Sequence, residues 1–265
     1  FRSLKTKGFI LFDIDGVIRD VTKSSRFAIK ETVQTLSGWR PRTEDIDNLK
    51  AKGCWNNDWD LSHELIKSTK EAKEESLNIP SREKVVSIFN DFYFGCDPSI
   101  DSSNWDGFIN NEKLLVDKSF FDKLGEEGII YGFVSGAETP SARFILENRL
   151  GLKNPPLIAM EDAPEKPDPS GLIKLAEKLS GKSLEKQVLP IGYVGDTVAD
   201  ILTIRNAQKI FPTQRFLSIG IAPPHLQKLH QESFRLKYEN KLTSAGANKI
   251  LRSTSEVIDY FLSIL

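Results

Sequence analysis

Asp13 and Asp15 stand one residue apart at the end of the apolar run Phe9-Ile10-Leu11-Phe12, and Gly16 follows at once. A buried strand that stops in Asp-x-Asp-Gly delivers two carboxylates to one edge of a sheet, and ligand sites in open α/β sheets lie at the carboxyl ends of strands. Three further places carry complementary chemistry. Ser135-Gly136 offers a hydroxyl and flexible backbone ahead of a helix, which suits an anion. Lys166, in Glu165-Lys166-Pro167-Asp168-Pro169, has an ammonium whose direction is fixed by stiff neighbours. Asp196 and Asp200, in Gly195-Asp196-Thr197-Val198-Ala199-Asp200, are spaced i to i+4, the spacing of one helix face. Singly, each has an ordinary explanation: an acidic turn, a Ser-Gly turn, a solvated loop lysine, a helix cap. Together and in order, each at an expected strand end, they describe one site.

The elements that must position these residues follow from periodicity. Phe9 to Phe12 reads as a fully buried strand. Helices are expected over Thr22 to Leu36 with Gly38 behind it, from a Thr43 cap towards Gly53, through Leu61, Leu65 and Ile66, and from Pro80-Ser81 through Phe92. The segment Cys96 to Asn111, rich in Asp, Ser, Asn and Gly, reads as a linker. From about Glu112 the pattern alternates: a helix through Leu114 and Leu124, the strand Ile129 to Val134, and a helix opened by Thr139-Pro140 and closed by Gly151. Further strands are expected at Leu157 to Met160, Ile191 to Val194 and Phe216 to Ile219, with helices around Gly171 to Leu179 and Asp196 to Ala207. Such alternation predicts a parallel sheet covered on both faces. All four tryptophans, Trp39, Trp55, Trp59 and Trp105, and both cysteines fall between the first strand and the end of the linker. That shift in composition marks a separate helical module inserted into the fold.

Composition narrows the classes. In 265 residues, Lys+Arg 36 against Asp+Glu 37 leaves a formal net charge of −1, without the basic excess of a general nucleic-acid or anionic-membrane binder. Any anionic ligand must be met by a few placed cations and backbone amides. No apolar run approaches the roughly 18 residues of a membrane span. Cys54 and Cys96 form neither a Cys-x-x-Cys motif nor a disulfide framework and read as reduced. The chain opens on Phe1 rather than methionine, which implies processing or trimming and leaves room for a lost targeting segment. The expected location is cytoplasmic, or an organelle stroma or matrix.

In order, Asp13-Ile14-Asp15-Gly16-Val17, Ser135 behind its strand, Lys166-Pro167-Asp168-Pro169 and Gly195-Asp196-x-x-x-Asp200 resemble the four motifs of the haloacid dehalogenase superfamily. The helical stretch between the first two resembles the cap of phosphoglycolate phosphatase-like and β-phosphoglucomutase-like members. Gly246-Ala247-Asn248, leading to an apolar helix, resembles the usual close of such chains. Glu165 departs from the pattern, standing where close relatives often carry glycine. The resemblance implies a Rossmann-like α/β core formed by residues 1–20 and 112–265, with residues 21–111 as an inserted helical cap with its linkers.

It also implies a mechanism. Asp13 would be the nucleophile that becomes an aspartyl phosphate, and Asp15 the general acid and base. Mg²⁺ would be held by the Asp13 side chain, the Asp15 carbonyl, Asp196 and Asp200, the last directly or through water. Gly16, Ser135, Gly136 and Lys166 would hold the phosphoryl oxygens. An acid two residues after the nucleophile favours an oxygen leaving group over a halide or a carbon–phosphorus bond. The expected activity is therefore a Mg²⁺-dependent phosphatase acting on a small phosphorylated metabolite, with no nucleic-acid or membrane partner. A phosphomutase of the β-phosphoglucomutase type shares every core motif, and a non-catalytic binding protein on this fold is a further alternative. In the insert, Trp55, Asn56, Asn57 and Asp58 combine carboxamides with an aromatic wall and are candidates to read the leaving group. Asn57-Asp58 could equally cap the next helix.

Overall fold

A computed structural model describes residues 4–75 and 78–265. Residues 1–3, assigned above to the core, and residues 76–77 lie outside the described residues. The chain divides into two compact units, one comprising the stretch up to Asp20 with Leu114–Leu265, the other Val21–Lys113.

The first unit is built on a six-stranded parallel sheet. Its strands are β1 (Gly8–Phe12), β4 (Ile129–Val134), β5 (Leu157–Ile158), β6 (Ile191–Gly195), β7 (Phe216–Ile221) and β8 (Lys249–Leu251). They run in the order β5-β4-β1-β6-β7-β8. Two short strands, β2 (Arg19–Asp20) and β3 (Lys113–Leu114), mark where the chain leaves this unit and returns, and beside them Leu115 N–H donates to Ile18 O at 2.8 Å. β1 is central because both its faces are apolar. Ile10 and Phe12 pack with Phe120, Phe121 and Phe133 on one side, and Phe9 and Leu11 with Leu172, Leu175 and Ala176 on the other. Burying four side chains of this size is worth roughly 6–12 kcal/mol gross. That is the scale needed to carry a charged residue to the interior, where an ion loses several kcal/mol of hydration.

Register aligns the strand ends. Phe12 lies opposite Phe133 of β4 and Val194 of β6. Asp13, Ser135 and Asp196 therefore emerge from three neighbouring strands at one edge, where the strand order reverses: β4 and β5 build out on one side of β1, and β6 to β8 on the other. Helices α5 (Lys118–Glu126), α6 (Thr139–Arg143), α7 (Ser170–Ser180), α8 (Val198–Ile210), α9 (Glu232–Ala245) and α10 (Val257–Ser263) accompany this sheet. α6 runs on in a π-type coil to Arg149. Leu114 belongs to β3 rather than to α5, and β5 is shorter than the run to Met160 suggested. Pro140 is the second helical residue of α6, with Glu138 at the cap.

The second unit holds α1 (Ser25–Ser37), α2 (Thr43–Lys50), α3 (Asp58–Ala72) and α4 (Arg82–Tyr93). Gly38 closes α1 in the left-handed conformation, and Ser81 caps α4 through Lys84 N–H. Thr43 is the first helical residue of α2 rather than its cap. The capping contact comes from Asp45, which accepts from Arg42 N–H at 2.7 Å, while Thr43 Oγ1 accepts from Lys30. The stretch expected as a linker is packed instead: Trp105 is buried edge-on to Phe94, and Ile109 is fully buried. Glu112 belongs here too, since its buried carboxylate accepts from Ser24 Oγ (2.8 Å) and Tyr93 Oη (2.9 Å). That pair of bonds moves the return point two residues beyond the expected one.

Candidate active site

Asp13 follows β1 and is anchored by its N–H to Val194 O of β6 at 2.9 Å. Its side chain is buried, as are those of Lys166, Asp196 and Asp200. Lys166 joins the cluster from the loop after β5, across a cis peptide to Pro167 whose carbonyl accepts from Asn206. Its ammonium donates to Asp200 Oδ1 at 2.6 Å, Tyr193 Oη at 3.0 Å and Asp13 Oδ1 at 3.1 Å. Tyr193 Oη in turn donates to Val134 O at 2.9 Å. One buried cation therefore ties three strand ends together.

Asp196 and Asp200 do not sit side by side on a helix face, as the i to i+4 spacing suggested. Asp196 precedes α8 and Thr197 caps it, with Asp200 as the third residue of the first turn. The carboxylate of Asp200 turns back on the helix start, where Oδ2 accepts from Asp196 N–H (3.1 Å), Thr197 N–H (3.1 Å) and Thr197 Oγ1 (3.0 Å). A capping box explains this, because the free amides of a first turn are satisfied by an acid three residues past the cap. Gly195 makes room: a Cβ there would stand 2.2 Å from Cβ of Asp200. Even so, one carboxylate oxygen from each of Asp13, Asp196 and Asp200 lies within 4.8 Å of the others.

The charges explain the protonation. Burial, reinforced by the Asp200 charge and opposed by Lys166, pushes Asp13 up to about 7. Burial alone would lower Lys166, but Asp13 and Asp200 outweigh it and hold the ammonium above its ordinary range. Burial would raise Asp200, yet Lys166 and the Thr197 donors hold it below the usual carboxylate range. Lys166 is nearer Asp200 (2.6 Å) than Asp13 (3.1 Å), so of the two Asp200 is the more strongly held in its charged form. Three buried carboxylates facing one ammonium leave a surplus of hard, negative oxygen ligands. That donor set fits a small divalent cation such as Mg²⁺.

Gly16 holds a left-handed conformation (φ +78°), and a Cβ on it would lie 2.1 Å from Asp196 Oδ2. Its N–H is given to Arg19 O at 2.9 Å. Gly16, expected among the phosphoryl-binding residues, makes space for Asp196 here, and its amide is engaged with Arg19. Ser135, buried at the end of β4, accepts from Ala137 N–H at 3.1 Å, with Gly136 between them in the turn before α6. Asn57 and Asp58 of the second unit serve local structure. Asn57 Oδ1 caps α3 by accepting from Trp59 and Asp60 N–H, and Asp58 pairs with Lys50 at 3.0 Å. Trp55 and Asn56 precede that cap and are half-buried. Tyr193, Thr197 and Arg19 were missed in the sequence. Tyr193 is hidden in an apolar strand and Thr197 in an ordinary cap, while Arg19 shows only as one charge in an apolar turn.

Residues 9–208 match the family of haloacid dehalogenase-like hydrolases. The chain belongs to that family. Among curated proteins, an imidazoleglycerol-phosphate dehydratase of Phytophthora nicotianae is 31% identical over 202 residues. That match takes in 75% of this chain but only 41% of the relative. Among solved structures, a phosphonoacetaldehyde hydrolase-like protein from Oleispira antarctica aligns with a TM-score of 0.68 at 17% identity, over 98% of this chain and 92% of that one. A hydrolase from Pseudomonas syringae gives 0.61 at 17% identity, over 98% and 99%. A phosphatase from Thermococcus thioreducens gives 0.58 at 21% identity, over 89% and 99%. At these identities the structures speak for the haloacid dehalogenase fold. No helix among the described residues is long and apolar enough to cross a membrane.

Proposed function

We propose that this haloacid dehalogenase-like hydrolase is a Mg²⁺-dependent phosphatase of small organic phosphomonoesters. The observation that carries the reading is the buried Asp13–Lys166–Asp200 cluster beside Asp196, with Asp15 retained two residues after Asp13. An Asp13 oxygen attacks phosphorus and the bond to the ester oxygen breaks, while Asp15 gives that oxygen its proton. Water then attacks the aspartyl phosphate and Asp15 takes its proton. The bond between phosphorus and Asp13 breaks, and orthophosphate leaves. Ser135, Gly136 and Lys166 hold the phosphoryl oxygens on which charge accumulates. Asp13, the Asp15 carbonyl and Asp196 would hold Mg²⁺. Asp200, with both oxygens engaged, acts on it through water or by orienting Asp196 and Lys166. The cation, when bound, offsets the repulsion between the ester and these carboxylates and favours ionised Asp13.

The unit Val21–Lys113 is the candidate to recognise the leaving group as a cap. The dehydratase activity in the relative's name is not carried over, since the match spans less than half of that protein. The compound in that name is a phosphorylated one, so imidazoleglycerol phosphate belongs in the substrate panel. The test is phosphate release from such a panel and from an aryl phosphate, with Mg²⁺ and with excess chelator. Release should require the metal, and Asp13→Asn should lower it at least about a thousandfold. Full turnover in chelator would overturn the reading.

A further inference from the structure

Arg19 is the largest fully buried side chain of the described residues, and its backbone closes a turn in which Ile14, Val17 and Ile18 are also fully buried. The turn is rigid. The N–H groups of Val17, Ile18 and Arg19 converge on Ile14 O at 3.2, 2.8 and 3.2 Å, and Thr254 Oγ1 donates to Val17 O at 2.7 Å. From it the guanidinium reaches Asp15 and Ser141. Nε donates to Asp15 Oδ1 at 2.7 Å, while Nη2 donates to Ser141 Oγ at 2.8 Å and Nη1 to Ser141 O at 3.3 Å. Arg19 is 1% exposed, whereas the side chain of Asp15 keeps 30% of its surface open.

A stability role explains this arrangement poorly. Replacing a buried ion pair with apolar side chains of similar volume is often neutral or stabilising, so a leucine among Ile14, Val17 and Ile18 would serve the core as well. What a leucine would not supply is a planar fork that fixes a carboxylate in direction. We propose that Arg19 is a positioning residue for Asp15. It holds one carboxylate oxygen so that the exposed side of the group meets the leaving oxygen, and later the attacking water. Ser141, on α6 just beyond the Ser135–Gly136 turn, holds the guanidinium in turn. The acid–base group is thereby referenced to the element expected to grip the phosphoryl group. This rests on the phosphatase reading above.

The test is leaving-group dependence. An aryl phosphate such as p-nitrophenyl phosphate expels a stable phenolate, so the first step needs no proton, whereas an alkyl phosphate such as glycerol phosphate needs one. With Mg²⁺ present, Arg19→Gln should keep a nitrophenol burst within about threefold of wild type and slow the turnover that follows. On glycerol phosphate it should lower kcat about 10- to 100-fold with KM little changed, a part of the 10²–10⁴ that positioned proton transfer contributes. Ser141→Ala should give a smaller loss with the same selectivity, and it carries the test if Arg19→Gln fails to fold. Asp15→Asn with Arg19→Gln should be no slower than Asp15→Asn alone, because residues acting as a unit are not additive. A nitrophenol burst slowed as much as single-turnover glycerol release, additive losses in the double variant, or a rise in KM alone would overturn the proposal. Wild-type protein that releases no phosphate would overturn the parent reading and this one with it. Wild-type turnover with unimpaired Arg19→Gln and Ser141→Ala would overturn only this one.

Discussion

Asp13 must be ionised to act as a nucleophile, yet its surroundings without a cation favour the proton. Burial, followed by the Asp200 charge, raises it to about 7. Glu138, at the start of α6, is likewise raised to about 7, by burial first and then by Glu161. Both groups bind more protons folded than unfolded between about pH 4 and pH 7, so their contribution is present at the acid end and lost as pH rises through about 7. Asp200 has the opposite sign, but its depressed value places its loss below the ordinary carboxylate range and outside that window. The melting temperature of metal-free protein should therefore fall between about pH 5 and about pH 7.5. Glu138→Gln should flatten part of the fall. Thermal scans across that range in chelator are the check, and a rising profile would count against this charge distribution.

Each strand end contributes chemistry through a short local device. Gly16 is the most exacting, since its backbone is left-handed and its missing Cβ is the space that Asp196 uses. Gly16→Ala should displace that carboxylate and weaken Mg²⁺ binding by at least about tenfold, readable by calorimetric titration, with about 1 kcal/mol or more of lost stability. The cap of α3 tests a different assignment. Asn57→Ala should cost about 1 kcal/mol through the lost N-cap and lower activity equally on all substrates. Asn56→Ala is expected to reduce kcat/KM on the preferred substrate while sparing an aryl phosphate, and equal losses would remove the loop from recognition. The central strands were legible because Phe9–Phe12, Ile129–Val134 and Ile191–Val194 are apolar runs bounded by polar turns; Asp13, Ser135 and Asp196 were legible as polar groups just beyond strand ends, and Lys166 as a lysine set in a proline-stiffened loop. β8 was not, because three residues opening on an exposed lysine carry no period. The turning back of Asp200 was not either, since i to i+4 spacing cannot tell a helix face from a capping box. Arg19 was invisible because a charge beside a turn ordinarily faces water.

At the scale of the whole molecule, the acidic cluster lies entirely within the first unit, so metal linkage should be felt there. A cation at 100 times its Kd stabilises the state that binds it by about 2.7 kcal/mol. Amide exchange should slow at the ends of β1 and β6 when Mg²⁺ is added, and α1 to α4 should keep their metal-free rates. Slowing confined to α1 to α4 would place the cation elsewhere. The aromatic residues make the same division optically. All four tryptophans lie within Val21–Lys113, whereas four of the five tyrosines, Tyr131, Tyr193, Tyr238 and Tyr260, lie in the first unit. Emission excited at the red edge of the aromatic band therefore comes from the unit Val21–Lys113 alone. A denaturation curve followed that way reports the insert, circular dichroism in the far ultraviolet reports both units, and the gap between the two curves measures how tightly their unfolding is coupled.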